Sequence, residues 1–277
     1  MKNLISVIMS VYKEPVGDVA RSVESIILQT YDNWELIIVL DCPQNLQVEN
    51  YVAHLSLQYR NISYIKNEAN IGLGASLNKA IENVRGEYCA RMDAEDYSFA
   101  KRFEKQIAYF NKNQGVDLLF TQWQEINSHG LITKKEPKSV DVKNIKKNFF
   151  IKSILLHPTL LIRSKILKKH FYPEMARPED WVLFLSLIRQ GFKFDLVEEI
   201  LYEYAVDNRH KFQKVRNYSS NLLPHLLRNI PNYFMNLYYW IYCIRIIGEF
   251  LISRNEYIYA KTSTLSALIW KRIFRSA

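Results

Sequence analysis

Three carboxylates stand within four residues of one another in "EYCARMDAEDYS" (residues 87–98): Asp93, Glu95 and Asp96. Like charges packed this closely repel, and the residues just before them read as a buried strand. A strand that ends in such a cluster asks for a cation. Mg2+ and Mn2+ prefer oxygen ligands, commonly one or two carboxylates with substrate phosphates filling the rest of the shell. The competing reading is a solvated acidic loop in which Asp96 or Ser98 caps the next helix. Glu179 and Asp180, in "RPEDW" (177–181), open a helical segment. There they either complement the positive helix end or supply a general base for an attacking hydroxyl.

Asp41 follows the apolar run "ELIIVL". It is either a turn former before Pro43 or an acceptor for the N–H of a base edge. Ser10–Glu14 also follow a strand, and Tyr12 serves either as core packing or as a surface for a nucleobase. "NIGLGASLN" (70–78) offers a glycine-dependent path into a helix whose first amides favour an anion. His157 precedes Pro158, which restricts it to extended geometry, and it is either a site residue or a buried polar group.

The elements that must hold these residues alternate. Strands are expected at 4–12, 34–40, 62–67, 87–92 and 116–126, and helices at 18–31, 46–60, 72–86 and 100–114, with Asp18 as an N-cap and Gly86 as a helix stop. Alternation of this kind specifies an α/β fold with a mostly parallel sheet covered by helices on both faces. Ligands in such sheets bind beyond the carboxyl ends of the strands, where Tyr12–Glu14, Asp41 and Asp93–Asp96 all fall. Residues 127–175 are irregular and lysine-rich, with a short strand and a helix start in "ILLHPTLLIRSKIL". A helix follows at 179–191, then one or two short strands at 192–204. From about Asn217 the chain reads as helical, aromatic and basic.

The 277 residues carry a formal net charge of +9, which points to an anionic partner without choosing it. Three scattered cysteines form no metal spacing and suit a reducing compartment. The N-terminus is too strand-like for a signal peptide. The 16 uncharged residues at 229–244 fall short of a spanning helix. The basic residues are scattered and form no nucleic-acid module, so no nucleic-acid partner is expected.

From "SVIMSVYKE" through "SIILQTYDNWELIIVLD", "NIGLGASLNKAI", "GEYCARMDAEDYS" and "RFEKQ" to "HPTLLIRSKIL" and "PEDWVLFLSLIRQG", the chain resembles the family 2 glycosyltransferases over roughly residues 4–205. Within that family it looks like bacterial enzymes that build exopolysaccharide, capsule or O-antigen units. The resemblance implies a GT-A, Rossmann-like domain over 1–210 and a helical C-terminal extension over 211–277. It implies metal-dependent, inverting transfer of a sugar from a nucleotide-sugar, a UDP-sugar by family habit, to a hydroxyl of a glycan or lipid-diphosphate-linked acceptor. Ser10, Val11, Tyr12 and Glu14 would line the nucleotide site, with Asn70, Gly72 and Ala94 also in the donor site and Asp41 on the base. Asp93, Glu95 and Asp96 occupy the DxD-type motif: Asp93 near the ribose and sugar, Glu95 and Asp96 in the Mn2+ or Mg2+ set. Asp180 would be the base, supported by Glu179.

Three departures from the family pattern are visible. "SVY" stands where a proline often precedes Val11, and Glu95 replaces the commoner Asp. "YEYAVD" (202–207) stands where many relatives carry Tyr-Arg-x-His. The third metal position then falls to Asp207, to His210 or to a water. The basic, aromatic segment 233–277 suits either the inner face of a bacterial plasma membrane, as a peripheral contact of a cytoplasmic protein, or packing and homodimer contacts. Two other classes remain: a nucleotidyltransferase, which would want a glycine-rich loop after the first strand, and a catalytically silent sugar-nucleotide-binding partner.

Overall fold

The run ISVIMSV forms β1 (Ile5–Val11) and WELIIVL forms β2 (Trp34–Leu40), and both are buried almost throughout. Apolar side chains on both faces of a strand need cover on both faces, which the intervening helices provide. This computed structural model describes residues 3–127, 131–135, 149, 155–173, 178–206, 211–233 and 237–252. In chain order the remaining strands are β3 (Ile62–Lys66), β4 (Tyr88–Asp93), β5 (Tyr97–Ser98), β6 (Leu118–Ile126), β7 (Ile132–Lys135), β8 (Leu161–Arg163) and β9 (Phe194–Ala205). The helices are α1 (Val16–Ile27), α2 (Leu46–Gln58), α3 (Leu73–Glu82), α4 (Arg102–Lys112), the single turn α5 (Ser164–Leu167), α6 (Glu179–Arg189), α7 (Lys211–Tyr233) and α8 (Leu237–Ile252).

The strands form one sheet in the order β3-β2-β1-β4-β8-β6-β9-β5, with β7 paired to β6. The β3-β2-β1-β4 half is parallel, as the alternation of elements requires. The other half is mixed: β8 runs antiparallel between β4 and β6, and β5 runs antiparallel to β9. Because β8 opposes β4, the turn that leads into β8 lies beside the carboxyl end of β4. The segment 192–204, expected as one or two short strands, is a single strand. Its alternation is broken because its register against β6 shifts twice, from Val197 opposite Thr121 to Ile200 opposite Gln122 and then Tyr202 opposite Trp123.

Several local expectations change. Asp18 does not cap α1, which begins at Val16 after Pro15, and Pro15 fits there because its missing N–H would have no intrahelical partner. Neither Asp96 nor Ser98 caps α4, since both are fully buried with other partners. Pro158 does not hold His157 in an extended segment. His157–Thr159 form a 3-10 turn, in whose first positions a proline is tolerated. Gly86 does not end α3, which stops at Asn83. A Cβ at Gly86 would stand 2.5 Å from the Leu4 carbonyl oxygen and 2.8 Å from the Ser6 nitrogen. Glycine is needed there for the close approach of the incoming β4 backbone to β1.

The chain divides into two compact units, Met1–Lys143 with Leu155–Asp207, and Asn144–Ile154 with Asn208–Ala277. The first holds the sheet and a core that includes Val7, Met9, Ile38, Phe103 and Leu161. In the second, α7 and α8 pack through Leu222, Leu226, Tyr239, Cys243 and Ile246, all buried. The Tyr239 hydroxyl donates to the Leu226 carbonyl. No described helix is long and apolar enough to cross a membrane.

Gly86→Ala is expected to destabilise the protein by about 1–3 kcal/mol in urea unfolding, the range of an overpacked site. Gly17→Ala, where an added Cβ meets nothing within 4 Å, should move stability by less than about 1 kcal/mol.

Candidate active site

β1 and β4 are paired up to Ser10 and Asp93, and β1 and β2 up to Val11 and Leu40, so Ser10, Val11, Asp41 and Asp93 meet at one end of the sheet. The Asp41 N–H donates to the Val11 carbonyl at 2.7 Å. Val11 is buried, and Tyr12 is exposed beside the Lys13 ammonium. The Tyr12 N–H donates to Glu14 Oε2 at 2.6 Å.

Asp41 is only 2% exposed. Its Oδ1 accepts from Asn67 Nδ2 at 2.8 Å and from the Ile71 N–H at 2.9 Å, and its Oδ2 accepts from the Gly72 N–H at 2.9 Å. The carboxylate therefore holds the 70–72 turn in place rather than standing as an unengaged acceptor. Asn70 Oδ1 takes a second bond from the Gly72 N–H at 3.0 Å. Gly72 sits at φ +87° as it enters α3, a backbone state in which glycine carries no steric cost.

The acidic turn after β4 is divided in its chemistry. Asp93 is partly exposed and pairs through Oδ1 with the guanidinium of Arg91, a side chain that is 1% exposed. Burial works against the charge on Arg91, but the Asp93 carboxylate together with the Tyr172 and Tyr202 side chains outweighs this and holds its pKa above the ordinary value. Ala94 is buried and Glu95 is exposed. Asp96, expected among the metal ligands, is fully buried and turned inward. Its Oδ2 accepts from the Tyr202 hydroxyl at 2.9 Å and its Oδ1 from the Ala205 N–H at 2.8 Å. Burial, and then the charge of Asp93, push its pKa well above the usual carboxylate range. With both oxygens engaged inside, Asp96 ties the turn to β9. Arg21 braces the same turn: it pairs with Glu203 and lies over the Tyr97 ring.

Asp93 and Glu95 are hard oxygen donors on one turn and fit Mn2+ or Mg2+ as part of a shell. Among the described residues no group of three or more His, Cys, Asp and Glu forms a set for a metal. Two carboxylates with substrate phosphates are a common arrangement for Mg2+. Asp207 and His210 lie outside the described residues.

On the other side, Glu179 and Asp180 are the first two residues of α6, as expected. Glu179 is buried. An added Cβ at Gly74, in the first turn of α3, would stand 3.1 Å from the Pro173 carbonyl oxygen and 3.5 Å from the Glu179 Cβ, so α3 and the start of α6 are in close contact. Asn78, one turn further on, grips residue 172 twice: its Nδ2 donates to the Tyr172 carbonyl and its Oδ1 accepts the Tyr172 N–H, each at 2.9 Å. Asp180 is one-third exposed. Its Oδ1 accepts from the Trp181 N–H at 2.7 Å.

Sequence reasoning singled out the acids and missed Arg91, Tyr202 and Tyr172. A signal for Arg91 was present, because an arginine inside "YCARMD" on a buried strand requires an anion near at hand. The tyrosines give no such signal, since their partners are far away in sequence.

The family model described as Glycosyl transferase family 2 matches residues 6–171. An uncharacterised glycosyltransferase of Methanocaldococcus jannaschii is 38% identical over 245 residues, 86% of this chain and 84% of its own. The O-antigen biosynthesis glycosyltransferase WbnJ of Escherichia coli is 29% identical over 248 residues, 86% of this chain and 95% of its own. Among solved structures, residues 1–349 of TarS from S. aureus match with a TM-score of 0.61 at 19% identity, over 93% of this chain and 82% of that one. The mannosyltransferase PcManGT from Pyrobaculum calidifontis, in complex with GDP-Man and Mn2+, matches with a TM-score of 0.66 at 14% identity, over 98% and 82%. Both structural likenesses concern the fold.

Tyr202→Phe removes the hydroxyl that donates to Asp96 and accepts the Asp93 N–H at 3.3 Å. Asp96 Oδ2 then loses its donor while Oδ1 keeps the Ala205 N–H, and denaturant unfolding should report a loss of about 1–3 kcal/mol.

Proposed function

The chain belongs to glycosyl transferase family 2 and has the GT-A fold, and from that premise we propose that it moves a sugar, with inversion, from a nucleotide-sugar to a hydroxyl of a glycan or lipid-diphosphate-linked acceptor in surface-polysaccharide synthesis. The supporting observation is the gathering of Ser10, Asp41 and Asp93 at one end of the sheet, with α3 packed against the helix start that carries Asp180. UDP is the preferred nucleotide, since TarS is also seen in complex with UDP-GlcNAc. GDP-mannose is the alternative to test.

Ser10–Glu14 and the 70–72 turn form the nucleotide side, with Asp41 shaping it through the amides it holds. Glu95, exposed on the turn, and the adjacent Asp93 would hold Mn2+ or Mg2+, with Asp207, His210 or a water completing the set; Asp96 acts from behind as an anchor. Bound there, the ion would offset charge on the leaving diphosphate. Asp180 takes the proton of the acceptor hydroxyl as the hydroxyl oxygen bonds to the sugar carbon. The bond from that carbon to the phosphate oxygen breaks, and its electron pair leaves with the nucleoside diphosphate. Oδ1 of Asp180 accepts from the Trp181 N–H, which fixes the carboxylate at the start of α6. Glu179, buried against α3, fixes the helix start that aims Asp180.

The C-terminal unit, through residues 233–277, is proposed to rest on an anionic membrane surface. Ile244, Ile247 and Leu251 on α8 are exposed apolar side chains, and the segment beyond them is basic.

A screen of UDP-GlcNAc, UDP-glucose and GDP-mannose with Mn2+ should reveal one donor that is turned over. Asp180→Asn should cut that turnover by about 10²–10⁴-fold, the usual contribution of a general base, while calorimetry shows donor binding intact. Glu95→Ala should weaken Mn2+-dependent donor binding in the same calorimetric experiment. Binding without turnover in the unmodified chain would favour the silent-partner reading. Deleting 233–277 should abolish co-sedimentation with phosphatidylserine-containing vesicles, and unchanged sedimentation would remove the membrane assignment.

A further inference from the structure

His157 occupies a position that neither the acidic turn nor the α6 acids explain. It is 6% exposed, in the 3-10 turn that leads into β8. Its ring packs against Tyr172 and Phe184, with centroids 5.3 and 5.8 Å away. Its two nitrogens face different partners. Nε2 lies 2.7 Å from the Tyr172 hydroxyl, and Nδ1 lies 4.0 Å from Asp180 Oδ2. A buried imidazole between a phenol and a partly exposed carboxylate is a directional arrangement, whereas packing alone would be met by any ring of similar size.

The protonation of the ring follows from the phenol. Tyr172 is buried, and burial holds its pKa well above the ordinary value, so the hydroxyl keeps its proton. That proton needs an acceptor in a buried setting, and among the described residues His157 Nε2, 2.7 Å away, is placed to accept it. With Nε2 accepting, a neutral ring carries its proton on Nδ1, the atom that faces Asp180. We propose that Tyr172 fixes the His157 tautomer and that His157 is a positioning residue for Asp180, directing an N–H at Oδ2 while the Trp181 N–H holds Oδ1. The inference rests on Asp180 being the base. A carboxylate held at both oxygens keeps its plane while the side chain stays one-third exposed. The 4.0 Å separation exceeds a hydrogen bond, as catalytic contacts often do before substrate arrives. Closing it on acceptor binding would orient Oδ2 without transferring the His157 proton. The backbone of Tyr172 is itself held on α3 by Asn78, so the phenol, and through it the imidazole, are referenced to the helix that also borders the donor side.

The tautomer is testable without a substrate. Full-length protein with 15N-labelled histidine is examined by long-range 1H–15N correlation at about pH 8, above the ordinary imidazole range. The His157 signal is assigned by its loss in His157→Asn. The expected result is protonation at Nδ1, a shift of that nitrogen in Asp180→Asn, and relaxation toward the Nε2–H form in Tyr172→Phe. An Nε2–H ring in the unmodified protein, or an Nδ1 signal indifferent to Asp180→Asn, would overturn the proposal. Turnover supplies the second arm. His157→Phe keeps the packed ring without nitrogens and should lower kcat by up to about 10²-fold, the size of a small misplacement, with donor KM unchanged. His157→Asn places an amide donor near the Nδ1 position and should recover much of that loss. Equal losses in both variants, or a matching rise in donor KM, would assign His157 to packing alone. Absence of turnover in the unmodified chain with every sugar nucleotide counts against the transferase reading instead, and the spectra still decide the tautomer.

Discussion

Mutual repulsion at the tip of β4 is the constraint around which this domain is arranged. At an effective dielectric near 20, two unit charges a few ångströms apart cost about 4 kcal/mol, so Asp93, Glu95 and Asp96 cannot all face one space as bare anions. Each is handled differently. Asp93 is matched by the guanidinium of Arg91, buried in its own strand. Asp96 is drawn inward to the Tyr202 hydroxyl and the Ala205 N–H, and burial favours its neutral form. Glu95 is left exposed. What faces outward is Glu95 beside an Asp93 already matched by Arg91, a better fit to a divalent ion bound together with a diphosphate than three free carboxylates would be.

The same constraint accounts for the mixed half of the sheet. Asp96 needs donors at depth, and β9 supplies them because it runs parallel to β6 while pairing antiparallel with the two-residue β5 at Tyr97–Ser98. Arg91 needs its backbone and neighbours fixed. Its N–H donates to the Leu160 carbonyl at 3.0 Å, and the fully buried Arg102 donates to the carbonyls of both Arg91 and Leu160. Burial pulls the pKa of Arg102 down to about 10, which still leaves it charged at neutral pH. The antiparallel β8 is thus the element that closes the backbone around β4 and carries His157 to its end.

The parallel half was legible in the sequence because β1 and β2 are seven-residue runs of buried, β-branched chain and helices alternate with its strands. β5 and β8, of two and three residues, are too short for any periodicity. The displaced register of β9 hides its alternation. The acids were legible by type and spacing, and their placement at strand ends follows from the alternation alone. Which acid faces outward was not legible. That depends on Tyr202 and Ala205, which lie 106 and 109 residues beyond Asp96. His157 was visible as a candidate, whereas its alignment by Tyr172 depends on the grip of Asn78, 94 residues earlier in the chain.

The inward turn of Asp96 also bears on the unusual Glu95. A longer side chain at a buried position would have to be accommodated by its neighbours, whose packing resists added volume. At an exposed position the extra methylene only extends the reach of the carboxylate. Position 95 is the exposed one, so glutamate can stand there while the turn keeps its shape, which is set by Asp93–Arg91 on one side and by Asp96–Tyr202 on the other. The departure from the family pattern therefore falls at the exposed acid of the turn, and it alters how far that carboxylate extends, not where the turn sits.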